Sequence, residues 1–171
     1  MTTFVAFLHA VNVGGTGKLL MSDLRQMAED LGFTDVKTYI ASGNLVFVSD
    51  QSAKAAIAAL EAKLFDYAGK HVAVVVRTHS ELKKVLDACP FAEQDPKKTV
   101  AIFLDKKPPL DTTGAPELVS GQVDEEIQLG AKEIYVYYAS GIGRSKLKFA
   151  AEIGGTARNI NTIRKMVELS A

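Results

Sequence analysis

The sequence predicts a mixed α+β fold, and two features indicate it. Short apolar runs rich in β-branched residues, typical of buried strands, recur between segments whose apolar residues repeat with the period of a helix. The predicted order of residues 1–78 is β-α-β-β-α-β, which is the split βαβ order of a ferredoxin-like sheet. Residues 79–171 form a second α+β subdomain that repeats this order irregularly, as βαβ followed by ββα. We expect the two subdomains to pack tightly as one globular unit.

The elements of the first half are predicted from hydrophobic periodicity and turn residues. Residues 3–10 are apolar on both alternating sets, as in a strand that is covered on both faces. Ser22 is a candidate N-cap for a helix whose apolar stripe ends just before Gly32, a typical C-terminal residue. The other predicted elements are a hairpin of strands 36–41 and 45–48 around Ser42-Gly43-Asn44, a helix at 53–67 closed by Gly69, and a strand at 72–76.

The same signals predict the second half. Ser80 is placed to cap a helix that Pro90 stops, and an apolar strand follows at residues 100–104. A helix from Ala157 to Leu169 is expected near the end of the chain. Between these elements lie a connection through Pro108, Pro109 and Pro116, and a hairpin of strands 126–129 and 134–139.

Composition argues against several functional classes. Twenty basic and twenty acidic side chains cancel, so no overall field attracts the protein to nucleic acid or to a membrane. No apolar run approaches the roughly 20 residues of a membrane helix, and the first residues lack the basic region of a secretory signal. The single cysteine, Cys89, predicts neither an internal disulfide nor a metal cluster, and the histidines lack metal-ligand spacing. We therefore expect a cytoplasmic protein without a cofactor.

The charges are nevertheless distributed unevenly along the chain. From Gly141 onward the basic residues outnumber the acidic ones. The basic set is Arg144, Lys146, Lys148, Arg158, Arg164 and Lys165, and the acidic set is Glu152 and Glu168. This segment can therefore form a local basic face on a protein whose net charge is zero.

A glycine-rich loop at residues 12–18, Asn-Val-Gly-Gly-Thr-Gly-Lys, joins the first strand to the first helix. Backbone N–H groups of such a loop can converge on an anion, helped by the positive end of the following helix. The loop is not a P-loop, since no Ser or Thr follows Lys18, and it lacks the third glycine of a dinucleotide fingerprint. Asn12, Gly14, Gly15 and Lys18 are candidate anion-binding residues; the alternative is ordinary turn chemistry.

The start of the last predicted helix is a second candidate for anion binding. If Thr156 caps this helix, Arg158 falls in the first turn, where acidic side chains are preferred. A cation at this position indicates an anion nearby, and the alternative is a solvated arginine. Asn159 and Asn161 add possible hydrogen bonds. We expect Arg158, Asn159 and Asn161 to lie close to the glycine-rich loop and to share one ligand with it.

Five stretches of the chain occur in a characteristic order: Ala6–Leu8 running into Asn12–Gly15, Met21 through Val36, Thr38–Asn44, Arg144–Leu147 and Thr156–Thr162. Together they resemble the domain-of-unknown-function family 1697 (DUF1697), over nearly the whole chain. The resemblance implies a soluble, mostly bacterial α+β protein and supplies no reaction.

The leading functional hypothesis is a binding module for an anionic ligand, phosphorylated or nucleotide-like. RNA binding through a ferredoxin-like sheet is the first alternative, because Gly43 to Val48 vaguely resembles an RNA-contacting strand, although an aromatic residue is missing. An enzyme acting on a phosphorylated small molecule, with His9 or Arg158 as participants, is the second alternative. The sequence contains no recognisable catalytic or metal-binding motif, and it indicates no oligomeric state and no membrane partner.

Overall fold

The computed structural model describes residues 1–13, 18–109 and 118–171. These residues form two compact units: unit 1 contains Met1–Lys83 and Lys165–Ala171, and unit 2 contains Lys84–Arg164. Helices combined with antiparallel sheets confirm the predicted α+β class. None of the helices in the described ranges has the length and apolar character that a bilayer crossing requires.

Unit 1 is built on a four-stranded antiparallel sheet. Its elements are, in chain order, β1 (Thr2–Leu8), α1 (Met21–Asp30), β2 (Thr34–Tyr39), β3 (Asn44–Ser49), α2 (Ala53–Ala68) and β4 (Val74–Thr78). The strand order is β2-β3-β1-β4. Val5 in the centre of the sheet lies opposite Val46 on one side and Arg77 on the other. The strand predicted at 72–76 is therefore an edge strand that starts two residues later than expected.

Both faces of this sheet are buried. One face packs against α1 and α2 in a single core cluster, whose members include Phe4, Leu8, Leu24, Phe47, Leu60 and Val76. The ring of Phe47 stacks on that of Phe33 with centroids 4.3 Å apart. On the other face, Val5 and Phe7 are 0% exposed and Val46 is 2% exposed. Burial on both faces explains why β1 is apolar at every position from Phe4 to Leu8, and it confirms that this strand is covered on both faces.

Unit 2 contains a second four-stranded antiparallel sheet. The chain continues as α3 (His79–Asp87), β5 (Thr99–Phe103), β6 (Val119–Ser120), β7 (Glu126–Leu129), β8 (Glu133–Tyr137), β9 (Lys148–Phe149), β10 (Thr156–Asn159) and α4 (Ile160–Ser170). The strand order of the larger sheet is β10-β5-β8-β7, and β6 pairs with β9 separately. The predicted strand at 100–104 and the predicted hairpin are confirmed, each with shifts of one or two residues.

The two larger sheets correspond strand for strand. In each sheet an edge strand (β4 or β10) lies beside a central strand (β1 or β5). The central strand is followed across the sheet by a hairpin, formed by β3 and β2 in unit 1 and by β8 and β7 in unit 2. The registers agree as well: Arg158 lies opposite Ala101, which lies opposite Tyr135, just as Arg77, Val5 and Val46 are aligned in unit 1. The units differ in what covers the sheet. Residues of the short β6–β9 pair and of the loops beside it pack on the core of unit 2, where unit 1 has helices; they include Leu118, Val119, Leu147, Phe149 and Ile153.

Two predicted helix N-caps are wrong. The N-cap of α1 is Leu20, which offers no side-chain hydrogen bond, and not Ser22. Thr78, and not Ser80, precedes α3, and its Oγ1 accepts a hydrogen bond from the Glu81 amide while the Glu81 carboxylate accepts one from the Thr78 amide. This reciprocal capping box satisfies two backbone amides, whereas a serine cap at position 80 would satisfy one, so the helix begins after Thr78.

The last helix also begins later than predicted. The sequence placed its start at Ala157, but Thr156–Asn159 forms β10 against β5, and α4 begins at Ile160. The predicted end at Leu169 is confirmed to within one residue. Of the prolines in the predicted connection, Pro116 lies outside the described residues.

Gly43, in the turn between β2 and β3, and Gly69, at the end of α2, provide a matched pair of substitutions. Both have positive φ angles, +86° and +71°, so alanine at either site should lower the free energy of unfolding by about 1–2 kcal/mol. A Cβ at Gly43 would in addition lie 2.8 Å from Leu8 Cβ and from Val11 Cγ2, whereas nothing lies within 4 Å at Gly69. Urea unfolding of Gly43→Ala should therefore show a further loss of about 1–3 kcal/mol relative to Gly69→Ala. Equal losses would contradict the close packing of this turn on the end of β1.

Candidate functional site

The side chain of Asn12 holds the two ends of the glycine-rich loop together. Its Oδ1 accepts a hydrogen bond from the Leu19 amide at 2.6 Å, and its Nδ2 donates to the Leu19 carbonyl at 2.8 Å. The same Nδ2 donates to the Ala41 carbonyl at 2.8 Å, in the turn between β2 and β3. Both amide hydrogens of Asn12 are thus used by the chain itself. Its role in the structure is to join residue 12 to residue 19, and Gly14 and Gly15 lie outside the described residues.

Of the four non-glycine residues with positive φ among the described residues, all but Asp35 lie at the same end of the unit 1 sheet. Ala10, Asn12 and Ile40 have φ angles of +50°, +54° and +49°, although none of them is glycine. For a β-branched residue such as Ile40 this conformation is a marked departure from ordinary backbone geometry. Strained residues of this kind persist where surrounding contacts enforce them, and they are enriched at ligand-binding sites. The loop region is therefore the part of unit 1 with the strongest geometric indication of function.

A cavity of about 210 Å³ opens beside this loop, between it and the last turn of α2. Its wall is largely apolar and includes Val11, Leu19, Leu64, Ala68 and Val72. Lys18 and Lys70 line the same cavity, and both side chains are exposed. The two lysines provide positive charge for an acidic group of a ligand, and the apolar wall provides a surface for an uncharged part of it.

Tyr67 connects the cavity to the start of α1. The residue lines the cavity, and its hydroxyl donates a hydrogen bond to Asp23 Oδ2 at 2.9 Å. The hydrogen bond to the Asp23 carboxylate, followed by burial, raises the pKa of Tyr67, while a backbone hydrogen bond from Leu20 opposes the rise. Tyr67 therefore remains a neutral phenol at physiological pH. It joins α2 to the first turn of α1, directly after the glycine-rich loop.

Lys70 and Tyr67 were not predicted from the sequence, and strand pairing explains how they come to the loop. Leu8 in β1 lies opposite Val74 in β4, and the amide of His9 donates to the Ala73 carbonyl at 2.9 Å. The residues just before β4 therefore run alongside the residues just after β1. Only the pairing of β1 with β4 could have indicated their place at the cavity, because neither residue belongs to a recognisable motif.

The second predicted segment has a different local structure from the one expected. Arg158 lies in β10 and is 8% exposed, so it is not a solvated arginine on a helix end. Its Nη1 donates to the Ala157 carbonyl at 2.9 Å, and burial lowers the pKa of Arg158 to about 10. Arg158 therefore still carries its charge at neutral pH although its side chain is buried.

The asparagines that follow Arg158 organise the start of α4. Asn159 Oδ1 accepts a hydrogen bond from the Asn161 amide at 2.8 Å, and its Nδ2 donates to the Lys97 carbonyl at 3.2 Å. Asn159, rather than Thr156, thus provides the cap of this helix. Asn12 and Lys18 belong to unit 1, and Arg158, Asn159 and Asn161 belong to unit 2. The ligand shared by the two segments stays a prediction.

The other reactive side chains have ordinary structural surroundings. Burial raises the pKa of the Cys89 thiol, which favours the unreactive protonated form. His79 Nδ1 lies 2.8 Å from Ser170 Oγ near the end of the chain, and His9 is exposed. The hydroxyl of Tyr135 donates to the Val85 carbonyl at 2.7 Å. Within the described ranges, no three His, Cys, Asp or Glu side chains are grouped so that they could hold a metal ion.

Comparison with known proteins assigns the chain to a family. The sequence model described as "Protein of unknown function (DUF1697)" matches residues 1–135, which is most of the chain. The chain belongs to the DUF1697 family. This membership confirms the predicted resemblance, and the matched residues include the glycine-rich loop, α2 and β4.

A solved structure supports the fold of this DUF1697 protein. The conserved bacterial protein SP0830 from Streptococcus pneumoniae is similar over 99% of each chain, with a TM-score of 0.78 and 23% sequence identity. At this identity the similarity establishes the fold alone. No curated protein sequence matches the chain.

The burial of Arg158 generates a stability prediction. Replacing Arg158 by alanine should lower the free energy of unfolding by about 1–3 kcal/mol, because packing of the stem and a charged hydrogen-bond donor are both lost. Arg164→Ala is the matched control, since Arg164 is exposed and should change stability by less than about 0.5 kcal/mol. Urea unfolding measures both. A loss for Arg158→Ala no larger than that for Arg164→Ala would contradict a buried role.

Proposed function

We propose that this DUF1697 protein is a binding module for a compact anionic ligand, phosphorylated or nucleotide-like, which binds in the cavity of unit 1. The observation that carries the proposal is the presence of Lys18 and Lys70 on one apolar-walled cavity beside the glycine-rich loop. Two cations can bind a phosphate or carboxylate together, and the charge-assisted hydrogen bonds that they form are stronger than neutral ones.

The size of the cavity limits the ligand. Typical small-molecule sites have volumes of about 300–1,000 Å³, and the cavity here is about 210 Å³. It accommodates a phosphate with a small body, whereas the base of a nucleotide would extend beyond it. The apolar wall formed by residues such as Leu64 and Val72 favours a ligand with a hydrophobic part next to its acidic group.

The electrostatic surroundings favour a modest affinity. The last turn of α2 ends at Ala68, and the carbonyl end of a helix carries partial negative charge. Asp23, whose carboxylate accepts a hydrogen bond from Tyr67, adds a negative charge. These groups oppose an anion and leave the two lysines as the main attractive groups among the described residues. Binding should therefore weaken strongly as salt is added.

RNA binding is the weaker alternative in structural terms. An RNA-binding ferredoxin-like sheet presents stacking residues on the face that its helices leave open. In unit 1 that face contains Val5, Phe7 and Val46, which are at most 2% exposed. Phe47, the aromatic residue of β3, belongs to the core cluster with α1 and α2. No observation favours the enzymatic alternative, which assigned roles to His9 or Arg158.

Three finer expectations belong to the same proposal. The element order of unit 1 and its strand order β2-β3-β1-β4 support a ferredoxin-like arrangement. The free Cys89 is consistent with a cytoplasmic location. The contribution of Arg158, Asn159 and Asn161 to the ligand is the third expectation, and the burial of Arg158 makes it the least supported.

Calorimetric titration with inorganic phosphate, pyrophosphate and AMP tests the proposed function. Lys18→Ala and Lys70→Ala should each weaken binding of the best of these probes by about 5- to 30-fold, which corresponds to roughly 1–2 kcal/mol. Lys54→Ala is the matched control, because Lys54 is exposed at the opposite end of α2 and does not line the cavity.

The control should bind like the wild type at low salt. Failure of all three probes to bind the wild type, or equal affinities for the wild type and both cavity variants, would overturn the proposed site.

A further inference from the structure

Unit 2 contains a second cavity, of about 440 Å³, which lies within the volume range of small-molecule sites. It is bounded by the loop at residues 121–125 and by the segment from Tyr138 to Lys146. The stretch Arg144-Ser145-Lys146, singled out in the sequence, forms part of its lining. This cavity is separate from the lysine-lined cavity assigned to unit 1.

The carboxylates that line this cavity hold its two walls together. Ser145 Oγ donates to Glu125 Oε2, and the Val123 amide donates to Glu125 Oε1 at 2.6 Å. Ser140 Oγ likewise donates to Asp124 Oδ2. Glu125 is buried, and the hydrogen bond from Ser145 is the main cause that lowers the pKa of Glu125. The Glu125 carboxylate is therefore charged at neutral pH, and these hydrogen bonds fix the position of both carboxylates.

The basic side chains of the cavity, unlike its carboxylates, are not held by hydrogen bonds to other described residues. Arg144 and Lys146 are exposed, and within the described part of the chain their side chains form no hydrogen bond or ion pair. The hydroxyl of Tyr138 is also without a partner among the described residues. Burial, followed by the charge of Glu125, raises the pKa of Tyr138, so this hydroxyl is a proton donor. Three donors in the lining of this cavity therefore have no acceptor among the residues that the structure describes.

The balance of charges narrows the class of ligand. Asp124 and Glu125 contribute two negative charges, and Arg144 and Lys146 contribute two positive charges, so the lining is neutral overall. A phosphate dianion would gain from the cations but would be repelled by the fixed carboxylates. A ligand with one carboxylate and one ammonium group is complementary to the two cations and the two carboxylates of the lining. Arginine suits the carboxylate in particular because its guanidinium can form two parallel hydrogen bonds with it.

We propose that the cavity of unit 2 binds a zwitterionic ligand of the α-amino-acid class. The ligand's carboxylate contacts Arg144, Lys146 and the hydroxyl of Tyr138. Its ammonium group contacts Asp124, one of whose carboxylate oxygens is not used by Ser140. The volume left beyond these groups accommodates an amino-acid side chain. The proposal assigns a second ligand to the protein and does not depend on the anion site of unit 1.

A thermal-shift screen of the common L-amino acids, each at about 10 mM, followed by calorimetric titration, tests this proposal on the full chain. At least one amino acid should raise the melting temperature. For that amino acid, the carboxamide and the N-acetyl derivative should each bind at least about 10-fold more weakly, since each lacks one of the two charges.

Variants then locate the site. Arg144→Ala should weaken binding of the same amino acid by about 10- to 100-fold. Lys146→Ala and Asp124→Asn should each weaken it by a smaller factor. Lys148→Ala is the matched control: Lys148 is an exposed cation in the same segment that does not line the cavity, and its variant should bind like the wild type.

Three results would overturn the proposal. The first is the absence of binding by every amino acid in the screen. The second is equal binding by the wild type, Arg144→Ala and Lys146→Ala, which are both exposed positions where folding should be preserved. The third is binding of inorganic phosphate that is tighter than that of any amino acid and is lost in Arg144→Ala. None of these results depends on whether Lys18 and Lys70 bind an anion.

Discussion

The three hydrogen bonds of the Asn12 side chain are the constraint on which the proposed function of unit 1 depends. They join residue 12 to Leu19 across the glycine-rich loop and to Ala41 in the neighbouring turn. Because both ends of the loop are held, Lys18 is kept beside the end of β1, where it meets Lys70 on one cavity. The positive φ angles of Ala10, Asn12 and Ile40 are the conformational cost of this arrangement.

The two units show how one sheet topology can support different chemistry. Their strands correspond in order and register, including buried arginines at Arg77 and Arg158. In unit 1 the core face is covered by two long helices, and the cavity lies where a loop meets a helix end, so its wall is apolar. In unit 2 the short β6–β9 pair and the loops beside it pack on the core, and the polar loop at residues 121–125 and the segment from Tyr138 to Lys146 enclose a cavity lined by charged and hydroxyl-bearing side chains.

Local sequence signals predicted what depends on local structure. The apolar run of β1, the helical period of α2 and the end of α2 at Gly69 are properties of contiguous residues, and all three are confirmed. What could not be predicted depends on distant partners. Thr156–Asn159 is a strand only because it pairs with β5, and this pairing buries Arg158. Lys70 lines the same cavity as Lys18 only because β4 pairs with β1. Each of these pairings joins residues that are far apart in the sequence, so no local pattern of residues predicts it.

The central claim is that the end of the unit 1 sheet at the Asn12-held loop is a ligand site. The most direct measurement is a residue-resolved NMR titration of the labelled protein with pyrophosphate, followed through backbone amide shifts. The account predicts that the largest changes occur in residues 10–13, 18–20 and 64–72, which surround the cavity that contains Lys18 and Lys70. Saturable changes confined to residues of unit 2, or no saturable change at any amide, would contradict it.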